Sequence, residues 1–340
     1  YSIILSSLAT GTIITMTSHH WLMACIGLEI NTLAIIPIIS TQHHPRSTEA
    51  ATKYFLTQAT ASATILFSST INAWHTGTWD ISQMSTTSAC IMLTIALAMK
   101  LGLAPVHFWL PEVLQGSTMK TALIITTWQK LAPMSLIYLT TNNLSTMILL
   151  LMGLLSTMLG GWAGLNQTQT RKIMAYSSIT HLGWMATISS IMTNILTLNL
   201  LLYLIMTTTM FYSLILTKSK TIQDTMNTWT LSPTLTIIMM LSLLSLGGLP
   251  PLTGFMPKWL ILEELTTQNL MPLATIMAMS ALLSLFFYLR ITYTTTLTLS
   301  PNTMQTKFKW RFKLLTSTSL MAAFTPLTIF LLTLMPLILI

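Results

Sequence analysis

Charge is what this sequence has least of. Lys and Arg together number 15 and Asp and Glu 7 among 340 residues, 6% in all, where soluble domains carry roughly a quarter. That scarcity excludes a soluble globular domain. The net charge of +8 has no soluble basic face to sit on, so a nucleic-acid partner is excluded too. Cysteine is nearly absent: Cys25 and Cys90 both lie in apolar runs, which argues against a disulfide framework and against a Cys-ligated metal or iron–sulfur cluster. No dinucleotide fingerprint, P-loop or metal-ligand spacing occurs, so the chain itself is expected to hold no nicotinamide, flavin, nucleotide or metal. The opening YSIILSSLATGTIITM lacks a basic n-region and a cleavage site, and reads as a first span rather than a signal peptide. It also lacks an initiator methionine, and a few residues are expected to precede Tyr1.

What is present is apolar length. Hydrophobic residues make up 52% and the mean hydropathy is +0.70. A spanning helix needs roughly 20 apolar residues, and spans are expected at 1–18, 20–41, 51–72, 83–115, 119–141, 145–166, 171–191, 194–217, 233–265, 270–299 and 317–338. The runs are too long and too little alternating for a membrane barrel. The expected fold is all-α, a polytopic membrane protein of about eleven helices.

Loop charge orients it. Arg46 and Lys53, Lys120, Arg171 and Lys172, Lys218 and Lys220, and Lys307, Lys309, Arg311 and Lys313 all fall after even-numbered spans. They share the side of the N-terminus, which by the positive-inside rule faces the cytoplasm-equivalent compartment, with the C-terminus opposite.

Two spans are too long. Residues 83–115 and 233–265 would each reach about 50 Å as straight helices, well beyond the hydrocarbon core. GLAP at 102–105 interrupts one and GGLPPLTG at 247–254 the other, so each is expected to be two half-helices joined by irregular backbone. Such backbone survives at membrane depth only inside protein or beside a wet cavity. The broken spans are the fourth and the ninth. That spacing divides the chain into a first five-helix repeat at 1–141, a second, inverted one at 145–299, and a loop with a last helix at 300–340. Paired interrupted segments point to an ion or substrate pathway.

Charges inside the spans mark where that pathway runs. Glu29, Lys100, Lys130 and Lys258 sit at depths where a lone charge costs several kcal/mol. Burial disfavours an ammonium and a nearby carboxylate favours it, so a lysine and a glutamate can exchange protons as they approach or separate. A static Glu29–Lys100 ion pair is the structural alternative. One glutamate cannot pair three lysines, and lysines spread over spans four, five and nine read as stations on a path. His107 and His181 are the two histidines inside spans; each could relay a proton or simply bond a carbonyl. They are also the one pair that could ligate a haem, a reading that nothing else favours. Glu112, Glu263 and Glu264 read as solvated, and Arg290 as snorkelling to an interface.

Three stretches, KLGLAPVHFWLPEVLQG at 100–116, SLGGLPPLTGFMPKW at 245–259 and RKIMAYSSITHLGWM at 171–185, closely resemble the mitochondrially encoded, antiporter-like membrane subunits of NADH:ubiquinone oxidoreductase, respiratory complex I. The likeness runs over essentially the whole chain. It implies a core subunit of the proton-translocating NADH:ubiquinone reductase, set in the membrane arm between other core subunits, with accessory subunits and lipids such as cardiolipin around it. It implies that FMN, iron–sulfur clusters and ubiquinone belong to other subunits, and that this chain performs no redox chemistry. It identifies the basic face as the mitochondrial matrix and the membrane as the mitochondrial inner membrane, with the C-terminus toward the intermembrane space. Glu29, Lys100, Lys130 and Lys258 match the family's transmembrane glutamate and three lysines. A stand-alone secondary cation/proton antiporter is the alternative of a different class, and a passive scaffold the third.

Overall fold

The chain, seen in a computed structural model that describes residues 2–298 and 318–334, is helical throughout, with no strand among the described residues. Lys307, Lys309, Arg311, Lys313 and the end of the last expected span lie outside the described residues. Two compact units divide the chain: Tyr1–Gly160 with Ala175–Leu196, and Gly161–Met174 with Thr197–Ile340.

The first seven helices are α1 Ser2–Thr17, α2 Trp21–Ile39, α3 Pro45–Thr76, α4 Thr87–Leu101, α5 Trp109–Gly116, α6 Met119–Thr126 and α7 Trp128–Thr140. Then follow α8 Thr146–Gly164, α9 Thr170–Ser189 and α10 Thr193–Thr217. The short α11 Ile222–Met226 and α12 Thr228–Leu231 precede α13 Pro233–Gly247, α14 Phe255–Thr267, α15 Met271–Thr296 and α16 Ser319–Phe330. Among them Trp21–Ile39, Thr146–Gly164, Thr193–Thr217 and Met271–Thr296 are long and apolar enough to cross a membrane unaided. Ser2–Thr17, Thr87–Leu101, Pro233–Gly247 and Ser319–Thr333 are apolar but shorter. Large side chains such as Ile3, Leu56, Leu151 and Met279 are more than half exposed, an apolar exterior suited to lipid and not to water.

Helices approach closely where glycine removes a side chain. A Cβ on Gly11 of α1 would stand 3.0 Å from the Gly27 carbonyl oxygen of α2, and one on Gly27 2.9 Å from the Gly11 carbonyl oxygen. The α8 and α9 pair repeats this reciprocity with Gly153 and Gly183, at 3.0 and 2.8 Å. Small residues that let backbones meet are the usual means of joining helices in a membrane, where apolar burial gives little drive.

Both expected interruptions are real helix ends. After α4, Gly102 takes a φ of 80°, its N–H bonds the Met99 carbonyl at 3.2 Å and the Leu103 N–H bonds the Ala98 carbonyl at 3.0 Å. After α13, Gly248 takes the same φ, with bonds from its N–H to Ser245 at 3.0 Å and from Leu249 to Leu244 at 3.4 Å. Each is a Schellman ending, which needs a left-handed residue and so favours glycine. A third interruption was not expected: residues 119–141 part at Thr127 into α6 and α7. Pro133 lies inside α7 and frees the carbonyl of Gln129, not that of Thr127, so it does not account for the parting.

Between α10 and α13 the chain turns through a capping box in which Thr221 and Asp224 bond each other's backbone N–H groups. N–H bonds from Thr221 and Lys220 hold the Asp224 carboxyl below the ordinary carboxylate range. Because the folded value is depressed, the contribution to stability is full above about pH 4 and is lost as pH falls through the folded value. Asp224→Ala should cost about 1 kcal/mol locally. Limited proteolysis after Lys218 or Lys220 should quicken roughly fivefold; an unchanged rate would show that the box does not hold the turn.

Candidate functional site

A helix ending inside a membrane leaves carbonyls that water cannot reach. In this chain lysines take them. Lys130, in the first turn of α7, is 2% exposed, donates its ammonium hydrogen to the carbonyl of Leu101, the last residue of α4, and stands 5.4 Å from the Trp109 ring centroid. The Trp109 indole N–H caps another carbonyl of that end, Met99, at 3.2 Å. In the second unit Lys258 of α14 donates to the carbonyl of Gly247, the last residue of α13, at 2.8 Å. The negative end of each helix dipole therefore faces a cation. This is why the chain breaks its helix where it places a charge: the break supplies the acceptor.

Lys100 differs. It lies in the last turn of α4, is 4% exposed, and its Nζ finds no partner among the described residues. Lys100 and Lys130 line one cavity of about 10 Å³ with Asn31, Gln58, Gln129 and Tyr54. A hydrogen bond to a charged group contributes about 1.5–3 kcal/mol and a desolvated cation–π contact about 2, against a penalty of several kcal/mol for a buried ion. Lys130 comes near balance; Lys100, without either, does not.

Glu29 is not where a static pair would put it. Its side chain is exposed on α2, lining a groove of about 600 Å³ with Thr32, Phe55, Ser62 and Phe67, and among the described residues it forms no ion pair with Lys100. Leu28, Asn31 and Thr32 of the same helix line the cavity, and Thr32 lines the Glu29 groove as well. His107, buried in the segment between α4 and α5, lies tilted against Phe108 with ring centroids 4.4 Å apart, and its Nδ1 is unpartnered among the described residues. His181 is buried within α9.

The half-buried guanidinium of Arg290 bonds the carbonyls of Leu165 and Gln167 and pins the α8–α9 turn to α15. One expectation needs correction. Glu112 is not merely solvated, for Lys53 bonds it at 2.6 Å and also bonds Glu49. That exposed arrangement ties α3 to α5 and holds the Glu49 carboxyl below its ordinary range, chiefly through the Lys53 hydrogen bond.

Comparison with known proteins agrees in kind. The family described as NADH:quinone oxidoreductase/Mrp antiporter, transmembrane, matches residues 18–284, and NADH dehydrogenase subunit 2 C-terminus matches 285–339. The chain is 58% identical to NADH-ubiquinone oxidoreductase chain 2 of Varanus timorensis over 98% of this chain and 97% of that one. It is 59% identical to the protein of the same name from Latimeria chalumnae over 92% and 89%. In fold it is similar to a chain of respiratory complex I from Thermus thermophilus, with TM-score 0.83, 24% identity, and 98% and 78% coverage. It is similar as well to a chain of the Mrp complex from Dietzia, with TM-score 0.84, 15% identity, and 99% and 76% coverage.

Proposed function

The chain belongs to the NADH-ubiquinone oxidoreductase chain 2 family, and from that premise we infer that its buried lysines carry protons across the membrane. It is a membrane subunit of the proton-pumping NADH:ubiquinone oxidoreductase, one part of a multi-subunit complex. Its own share of the reaction is proton movement; the redox groups belong to other subunits.

The observation that carries this reading is the shared cavity of Lys100 and Lys130. Two ammonium groups beside one small, low-dielectric space would repel if both were charged, which would couple their titrations. A proton on Lys130 is held by the Leu101 carbonyl and the Trp109 face. A proton on Lys100 has no hydrogen-bond partner among the described residues until a carboxylate or water comes within bonding reach. The pair is thus a switch whose setting depends on what stands near Lys100. Glu29, exposed in its groove two helical turns from the α2 end, is the group that a neighbouring subunit can move or neutralise. Lys258 forms the corresponding station in the second unit, and His107 and His181 of the first unit serve as relays. In a complex carrying Lys130→Met, the ratio of protons translocated to electrons passed should fall. A normal ratio with normal assembly would contradict the relay.

The same reading extends to architecture. Eleven crossings result if α3 and α9 span, and if α4 with α5, α6 with α7, and α13 with α14 each make one crossing from two half-helices. The reciprocal glycine contacts of α1 with α2 and of α8 with α9, and the twin Schellman breaks, support two five-helix repeats at 1–141 and 145–299 with a final segment at 300–340. An odd number of crossings per repeat inverts the second.

Orientation follows from loop charge. Within the first unit Gly116, close to Lys120, packs on the Arg46 backbone; within the second, Thr170 bonds the Lys220 carbonyl at 3.1 Å, bringing Arg171 and Lys172 beside Lys218 and Lys220. Opposite them in sequence, His20 stacks on Trp79 beside Asp80. We place the basic loops and the N-terminus in the matrix of the mitochondrial inner membrane and the C-terminus in the intermembrane space. A membrane-impermeant amine label should reach Lys120 and Lys220 from the matrix side alone; labelling from the intermembrane side would reverse the assignment.

A further inference from the structure

Asn31 is 1% exposed, and both atoms of its carboxamide, Oδ1 and Nδ2, lack a hydrogen-bond partner among the described residues. A buried unpaired amide costs about 1–3 kcal/mol, so its place here calls for a reason. The residue lines the same cavity as Lys100 and Lys130, and the Lys100 Nζ is likewise buried without a partner among the described residues. Its volume of about 10 Å³ is close to the least that holds one water, and the site has the two to four polar partners that a buried water needs. The chain also makes room for the amide: a Cβ on Gly11 would stand 2.9 Å from Asn31 Cγ. The glycine of α1 therefore leaves the seat in which the carboxamide rests.

We propose that Asn31 is a positioning residue for proton transfer, its carboxamide fixing one water against Lys100 so that Lys100 and Lys130 exchange a proton through that water. The water accepts from whichever ammonium is charged and donates to Asn31 Oδ1. A proton then leaves one lysine for the water oxygen as another O–H proton passes to the neutral amine of the second lysine, so the water is regenerated and charge is conserved. Leucine at position 31 keeps the volume and removes the acceptor. Serine keeps an acceptor and leaves space for a second water. Gly11→Ala keeps Asn31 and displaces it.

This proposal rests on the relay reading above, and the experiment separates the two. In the assembled complex Asn31→Leu and Gly11→Ala should each slow proton transfer about tenfold, the scale of one lost hydrogen bond to a charged group, and lower the proton-to-electron ratio with a displaced pH profile. Asn31→Ser should stay near the native ratio. If Asn31→Leu leaves ratio and pH profile native while Lys100→Met lowers the ratio, the relay stands and the role of Asn31 falls. If Asn31→Ser fails as fully as Asn31→Leu, the residue acts in packing and the proposal is likewise overturned. Independently of any variant, a map of the native complex that resolves waters should show one within about 3.2 Å of both Asn31 Oδ1 and Lys100 Nζ. An Asn31 amide bonded to another group, with that cavity dry, overturns the proposal whatever the variants do.

Discussion

Gly254→Ala should leave little assembled protein. The residue has an ordinary helical φ of −69°, so conformational freedom is not why glycine stands there. Space is. A Cβ would run into the Ser245 carbonyl oxygen and lie 2.8 Å from its carbon, and both are backbone atoms of α13 that no rotamer can move. The segment 248–254 folds back onto the helix it has just left, and Thr253 ties it to α16 through a 2.7 Å bond to the Thr328 carbonyl. Relief requires the whole connection to lift, which would draw Lys258 from the Gly247 carbonyl. Overpacking costs about 1–3 kcal/mol where side chains can adjust, and more is expected against rigid backbone. The comparison is Gly77→Ala: nothing lies within 4 Å of a Cβ there, and only the φ of 74° opposes it, at roughly 1–2 kcal/mol. Native gels should show Gly77→Ala assembling and Gly254→Ala failing. Equal assembly of both would mean that the close approach at Gly254 is not needed.

These two glycines illustrate what the sequence makes legible. Glycine and proline beside a charge told where helices end, because the backbone physics of those residues is local; the ends after Leu101 and Gly247 fall at the motifs that announce them. The parting at Thr127 has no glycine or proline beside it, and nothing in TTWQKLA is a breaker. Its consequence is large, since it sets Lys130 in a first helical turn facing the Leu101 carbonyl. The chemical identity of the site was readable from the rarity of charge, whereas partners across the fold were not. Lys130 and Leu101 are 29 residues apart in sequence, and no periodicity links them. Glu29 reads as buried from its run of apolar neighbours, yet helix α2 presents it to a groove; a low net hydrophobic asymmetry leaves no signal for which face points inward. Asn31 and Gly11 carry no charge and lie in spans where one polar or small residue is unremarkable. The signal that could have found Asn31 is a carboxamide two residues from Glu29, on the face that Glu29 does not occupy.

Lys100→Met should assemble and pump less. Methionine preserves most of the apolar stem and fills irregular space readily. It removes a buried ammonium that has no hydrogen-bond partner among the described residues, so folding loses no bond and sheds a desolvation penalty of several kcal/mol. Stability should therefore hold or rise. Transfer should suffer, because Lys130 would face a cavity with no second titratable lysine and its proton would stay bound to the Leu101 carbonyl and the Trp109 face. A scaffold role for the chain predicts the reverse, unchanged pumping in a slightly more stable complex. The deciding measurement is the number of protons translocated per electron passed from NADH to ubiquinone by the purified Lys100→Met complex in sealed vesicles, with electron transfer recorded in the same preparation. The relay predicts a lowered ratio in a fully assembled complex; a native ratio would contradict it.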